Sequence, residues 1–302
     1  MFKVGLAQYP IHFYKTENDW VTNLDKWFGD AKSQGCEMVV FPEYASMELV
    51  SLLKDSYKMT LHQQLEKIQD LHNSFLDLFK KMAVKYSVYT IAPSFPIAVG
   101  NKYINRAYVI SPNGKYDFQD KIHMTRFEDD WGVSSGETEL KIFDTKLGRF
   151  AVQICFDIEF AWASSLLAKS NVHLIFAPSC TEGLQGMNRV HIGAKARALE
   201  NQVYIGVSQV VGEAPWSLAV DKNNGIAALY GPVDVTFPED GTLVKGELNE
   251  STWVVSDIEI QKLENVRKNG HVLNFNLNSL YPWENTKAQN LVLKVIELKR
   301  SI

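Results

Sequence analysis

Cys155, Glu43 and Lys121 are the side chains best placed to do chemistry, because each stands at an expected strand end where the chain gives way to a polar turn. Cys155 closes the run 150–154 and is followed by Phe156-Asp157-Ile158-Glu159. Glu43 follows Val39-Val40-Phe41-Pro42, and Lys121 follows Asp120, with His123 two positions on. A free thiol titrates at about 8.5, so near neutral pH it needs a base or a positive charge to become a nucleophile. Glu43 is the candidate base. An ordinary glutamate, at about 4.3, is too acidic for that proton, and burial behind an apolar strand raises it. The Lys121 ammonium would favour thiolate and hold the oxyanion formed when sulfur attacks a carbonyl or nitrile carbon. The N–H of Phe156 is the natural second donor, and His123 reads as a brace for the Lys121 loop. These are the parts of a thiol hydrolase. The chain has no Gly-x-Ser-x-Gly elbow, no Gly-x-x-x-x-Gly-Lys phosphate loop and no Gly-x-Gly-x-x-Gly fingerprint.

These positions need strands to hold them. Residues 2–8 alternate as a strand, and 38–41 is a short β-branched run closed by Pro42. Apolar residues at helical spacing (Trp20, Leu24, Trp27, Phe28, Ala31) predict a helix over 18–33, with further helices over 61–86, 161–169 and 189–201. Strands are expected at 88–92, 103–111, 150–154, 172–177 and 203–209, and shorter ones at 218–220, 227–230, 244–246 and 253–257. Residues 288–299 read as a helical C-terminal arm. Strands alternate with helices but sometimes follow one another directly. That rhythm predicts an α/β protein built as a two-sheet sandwich with helices outside.

The 302 residues are 46% hydrophobic and 22% charged, a balance that fits a large buried core. No linker, low-complexity tract or repeat divides them, so one domain over 1–302 is expected, with a C-terminal extension from about 275. The net charge of -4 and the scattered Lys and Arg argue against nucleic-acid binding. The apolar runs are too short to span a membrane, and the opening segment reads as a strand rather than a signal peptide. Cys36, Cys155 and Cys180 are odd in number and widely spaced, which suits reduced thiols in a cytoplasm. The seven histidines show no metal-ligand spacing, so neither a metal nor a cofactor is expected.

Three segments carry a resemblance. Phe41-Pro42-Glu43-Tyr44, Asp120-Lys121-Ile122-His123 and Gln153-Ile154-Cys155-Phe156-Asp157-Ile158-Glu159-Phe160 resemble the signature segments of the nitrilase (carbon–nitrogen hydrolase) superfamily, in its order and at its usual separations. Val4–Gln8 and the segment from Ala196-Arg197 to Glu200-Asn201 are similar to the family as well, so the likeness covers nearly the whole chain. It implies a four-layer α-β-β-α sandwich whose subunits commonly pair sheet to sheet, as homodimers or larger homo-oligomers. It implies a Glu–Lys–Cys triad that hydrolyses non-peptide carbon–nitrogen bonds through a thioester, and a second carboxylate shortly after the lysine, best matched by Glu128, with Asp129 and Asp130 as the neighbouring alternatives. Segments 227–232, 237–241 and 263–274 resemble the branch sometimes fused to a GNAT-type acetyltransferase, which would make this a stand-alone member.

The expected reaction is amide hydrolysis, with Glu43 as base, Cys155 as nucleophile and Lys121 with the Phe156 N–H as oxyanion donors. A nitrilase acting through a thioimidate at the same sulfur is the alternative within the family. A binding protein with vestigial turnover is the alternative of another class. The partner is a small amide or nitrile, not a nucleic acid or a membrane. Tyr44, Phe127, Phe156, Glu159 and Trp162 adjoin the triad segments and are expected to line the pocket. Ser179 and Thr181 follow another strand end and are expected there too, whereas Cys180 reads as a passive thiol. Arg197 and Glu200, three apart on a helix, read as a structural ion pair.

Overall fold

The computed structural model describes residues 1–136 and 139–278. The arm expected at 288–299 lies outside the described residues, as does the rest of the C-terminal extension beyond 278.

The strand Phe2–Pro10 joins two sheets. Its residues from Phe2 to Gln8 pair antiparallel with Thr252–Ile258, while Lys3 to Leu6 pair parallel with Cys36–Val40 on the other side. Its last three residues pair parallel with Tyr204–Glu213, which begins the second sheet. The first sheet continues from Cys36–Val40 through Tyr89–Ile91 and Lys102–Ile110 to Phe95–Val99. The second continues through Leu174–Ser179 and Gly148–Val152 to Phe143–Thr145.

Side-chain alternation along the strands separates the layers. Val4, Leu6, Met38 and Val40 pack into one core with Phe150, Phe176 and the Val190–Ala194–Ala198 face of the helix Leu184–Asn201. Ala7, Tyr9, Val39 and Phe41 point the other way, against Trp20, Leu24 and Phe28 of the helix Glu17–Ser33 and Phe75 and Phe79 of the helix His72–Tyr86. The result is the expected sandwich of two sheets with helices on both outer faces.

The expected helix over 61–86 divides into Leu61–Lys67, a 3₁₀ turn Ile68–Leu71 and His72–Tyr86. Gln69 explains the break. Its amide donates to the carbonyls of Leu65 and Pro96 and accepts from the Ala98 N–H, which pins the turn to the strand Phe95–Val99. Residues 218–220, expected as a strand, form a turn instead, with Ser217 N–H on Ala214 and Val220 N–H on Ser217. The strand here is Lys222–Asn223, paired back to Gly212 and Glu213. The extension begins with a short helix, Asn274–Asn278, held by Asn274 on the Leu199 carbonyl and by the Phe275 N–H on Gln202. Among the described residues no helix is long and apolar enough to cross a membrane.

One feature of this topology positions the site. Cys36–Val40, Gly148–Val152 and Leu174–Ser179 belong to the parallel part of the strand order, so their carboxyl ends emerge along one edge. That edge is where open α/β sheets place their ligands.

Candidate active site

Glu43, Cys155 and the Lys121–Glu128 pair converge although they come from three separate parts of the sequence. The Lys121 ammonium lies 2.8 Å from Glu43 Oε1 and 2.6 Å from Glu128 Oε2, and all three side chains are almost fully buried. Each carboxylate has further donors. Glu43 Oε1 accepts from the Asn105 amide at 2.9 Å, and Oε2 accepts from the Cys180 N–H at 2.9 Å. Glu128 accepts from Asn105 at 3.0 Å, from the Tyr44 hydroxyl at 2.9 Å, and from the N–H and hydroxyl of Thr125. Glu128 and Thr125 form a capping box at the start of the short helix Arg126–Asp130, which fixes the second carboxylate opposite Lys121.

Cys155 begins a 3₁₀ turn, Cys155–Glu159, directly beyond the strand Gly148–Val152. Its φ of 50° lies in the left-handed region, which costs a non-glycine residue about 1–3 kcal/mol and persists only where the surroundings enforce it. Its Sγ lies 3.8 Å from the Cys180 carbonyl. The first N–H groups of such a turn have no partner within the turn, so the Phe156 N–H fits a ligand oxygen beside the sulfur.

Two loops are locked together here. The buried Asp157 carboxylate accepts from the N–H groups of Ile122 at 3.2 Å and His123 at 2.8 Å, and lies 2.9 Å from His123 Nδ1. The His123 ring stacks on Phe160 at 4.0 Å. The turn that carries the thiol and the loop that carries the lysine therefore share one anchor, and His123 is the expected brace. Arg197 adds another. It forms the expected pair with Glu200, and its Nη1 also donates to the carbonyls of Ile158 and Glu159.

Electrostatics follow from burial. Desolvation raises Glu43 above the ordinary carboxylate range, opposed by Lys121 and reinforced by Glu128. Burial works against the charge of Lys121, but the two carboxylates outweigh it and hold the group protonated. Glu128 is also pushed upward by burial, and Lys121 more than offsets this, leaving it below its ordinary value. Burial and the Glu43 charge raise the Cys155 thiol well above normal, with Lys121 opposing. Lys121 does pull toward thiolate, as expected, but burial and the Glu43 charge outweigh it, so the thiol lies above its ordinary value beside a raised, hydrogen-bonded carboxylate.

These groups open into a cavity of about 580 Å³. Tyr44, Phe127, Phe156, Glu159 and Thr181 line it, as expected, and so do Trp131 and Cys180. Trp162 and Ser179 do not. The helix Ala161–Lys169 turns Trp162 outward, where it is 48% exposed and lies edge-on to His123. Ser179 is fully buried and its hydroxyl donates to the Ala177 carbonyl. Among the described residues no cluster could hold a metal ion.

The family model for carbon-nitrogen hydrolases matches residues 3–268. The chain belongs to the carbon–nitrogen hydrolase family. It is 30% identical over 271 residues to a probable hydrolase of Bacillus subtilis, YhcX, covering 89% of this chain and 52% of that protein. The chain thus spans about half the length of that relative. It is 27% identical over 290 residues to the omega-amidase NIT2 of Danio rerio, covering 93% of this chain and 97% of that protein. Among solved structures, Nit3 of Saccharomyces cerevisiae, a nitrilase-superfamily member, superposes with a TM-score of 0.69 at 18% identity, covering 88% of this chain and 93% of that one. The protein is a carbon–nitrogen hydrolase enzyme, and its architecture is that of the nitrilase superfamily.

In this carbon–nitrogen hydrolase, Asn105 and Thr125 surround the carboxylates but carried no sequence expectation. Asn105 lies fully buried within the strand Lys102–Ile110, between Ile104 and Arg106, and nothing in the sequence marks it. Thr125 was readable as a cap, because Thr125-Arg126-Phe127-Glu128 has the capping-box spacing.

Proposed function

We propose that this enzyme hydrolyses a small amide through a thioester on Cys155. The observation that carries the reading is the Lys121 ammonium held between Glu43 and Glu128 beside a buried thiol that opens into a cavity. Glu43 takes the thiol proton as the sulfur–carbon bond forms. Lys121 and the Phe156 N–H stabilise the resulting oxyanion. The carbon–nitrogen bond breaks as Glu43 returns the proton to nitrogen, and ammonia or an amine leaves. Water then gives a proton to Glu43 and adds to the thioester. The sulfur–carbon bond breaks, the proton returns to sulfur, and the carboxylic acid is released.

Glu128 and Asn105 position Lys121 and Glu43. A positioned base of this sort contributes about 10²–10⁴-fold. The omega-amidase relatives favour an amide over a nitrile as substrate. The test is ammonia release from a panel of small amides by the wild type and by Cys155→Ala. Turnover confined to the wild type is expected. Equal turnover by the two proteins, or product from nitriles alone, would overturn the reading.

A further inference from the structure

Resting on the amidase reading, we propose that the preferred amide carries a positively charged group, an ammonium or a similar cation, which Glu159 and the aromatic wall of the cavity recognise. Glu159 sits on the same five-residue turn as Cys155, so its carboxylate is tethered at a set distance from the nucleophile. Its backbone carbonyl accepts from Arg197, which stiffens that end of the turn. The Glu159 side chain is 21% exposed and faces the cavity, and its partner Arg189, 3.3 Å away, is 59% exposed. An exposed pair of this kind is weak, so a substrate cation can displace Arg189 at little cost.

The cavity that Glu159 faces also has an aromatic lining, with Phe127, Trp131 and Phe156 among its residues. Ring faces attract cations and do nothing comparable for carboxylates. The charge balance points the same way. At the catalytic end two carboxylates share one ammonium. In the rest of the lining Glu159, Glu182 and Asp221 outnumber Arg189 and Lys222. A carboxylate-bearing substrate would enter a cavity with excess negative charge, and a cation would be drawn in.

Three amides of equal reach supply the test: pentanamide, glutaramate and γ-aminobutyramide, ending in methyl, carboxylate and ammonium respectively. The wild type is expected to turn over γ-aminobutyramide with a kcat/KM at least about tenfold above pentanamide, with glutaramate the poorest, as a charge-assisted contact in a cavity requires. Glu159→Gln should lower the ammonium-to-methyl ratio about tenfold. The ratio is read within one protein, so any loss of folded enzyme cancels. Phe127→Ala, at a side chain already 66% exposed, should lower the same ratio without a folding risk. A preference for glutaramate, or ratios that neither variant moves, would overturn this proposal while Cys155-dependent turnover of pentanamide upheld the amidase reading. No Cys155-dependent turnover of any of the three would overturn both.

Discussion

Lys121 is a cation shared by two buried carboxylates, and that sharing determines how Glu43 titrates. Burial raises Glu43, the Glu128 charge raises it further, and Lys121 pulls it back. As the proposed base Glu43 must be ionised, so kcat/KM should fall as pH drops through a value above the ordinary carboxylate range of about 4.3. Glu128→Gln removes a like charge and leaves Lys121 to Glu43 alone. Both changes stabilise ionised Glu43, so the acid limb should move to lower pH even as the maximum rate falls. An acid limb that stays put or moves upward in the variant would show that Glu43 is not the group titrating. At this scale the sequence was informative at strand ends: Glu43 and Cys155 each follow an apolar run, and Lys121 follows the strand Tyr116–Asp120. It was uninformative for Asn105, whose amide looks like any polar residue in a half-buried strand until the neighbouring carboxylates are in view.

Two short segments set the geometry between elements: the turn Cys155–Glu159 and the loop after Lys121. Asp157 is bonded to both, and Gly193 brings the helix Leu184–Asn201 against the same turn. A Cβ at Gly193 would come within 3.0 Å of the Ile158 carbonyl oxygen. Asp157→Ala would leave two loop N–H groups without their acceptor. It is expected to cost about 1–3 kcal/mol of stability. It should also lower kcat, because the distance between lysine and sulfur is no longer enforced. Urea unfolding and turnover of the same preparation check this, and lost stability with unchanged kcat would mean that Arg197 and Gly193 suffice to hold the turn. The sequence revealed the helix and strand types well, because apolar periodicity reports local burial directly. The failures came where tertiary hydrogen bonds decide the outcome. Gln69 breaks a continuous helical pattern to reach a strand edge, and Trp162 adjoins the nucleophile turn in sequence yet faces outward from the next helix.

Joining two sheets through Phe2–Pro10 buries polar groups far from the cavity's chemistry, and one of them should govern stability across pH. Sequence pattern predicts the layers, since alternation separates Val4 and Leu6 from Ala7 and Tyr9, but it cannot show which buried acid lacks a cation. Glu48 is that acid. It lies in the 3₁₀ turn Ala45–Leu52 and accepts from the hydroxyls of Tyr9 at 3.0 Å and Tyr14 at 3.3 Å, with Asn23 donating to Tyr14 at 2.8 Å. His12 lies 3.9 Å away, but burial lowers its pKa and favours the neutral ring. Desolvation pushes Glu48 up to about 8 despite the tyrosine bonds. The folded protein therefore keeps this proton up to a pH near 8, whereas the unfolded chain releases it near an ordinary glutamate value of about 4.3. Between those limits the native state binds more protons, so this group's contribution to stability falls as pH rises and levels off above the native pKa. Glu48→Gln keeps an acceptor for the tyrosines and cannot ionise. It should remove that slope and gain about 3–4 kcal/mol over the wild type at neutral pH, with the gap shrinking toward pH 5. Urea midpoints of both proteins from acid to mildly alkaline pH measure the gap, and one that stays constant across the range would mean that Glu48 does not hold its proton in the fold.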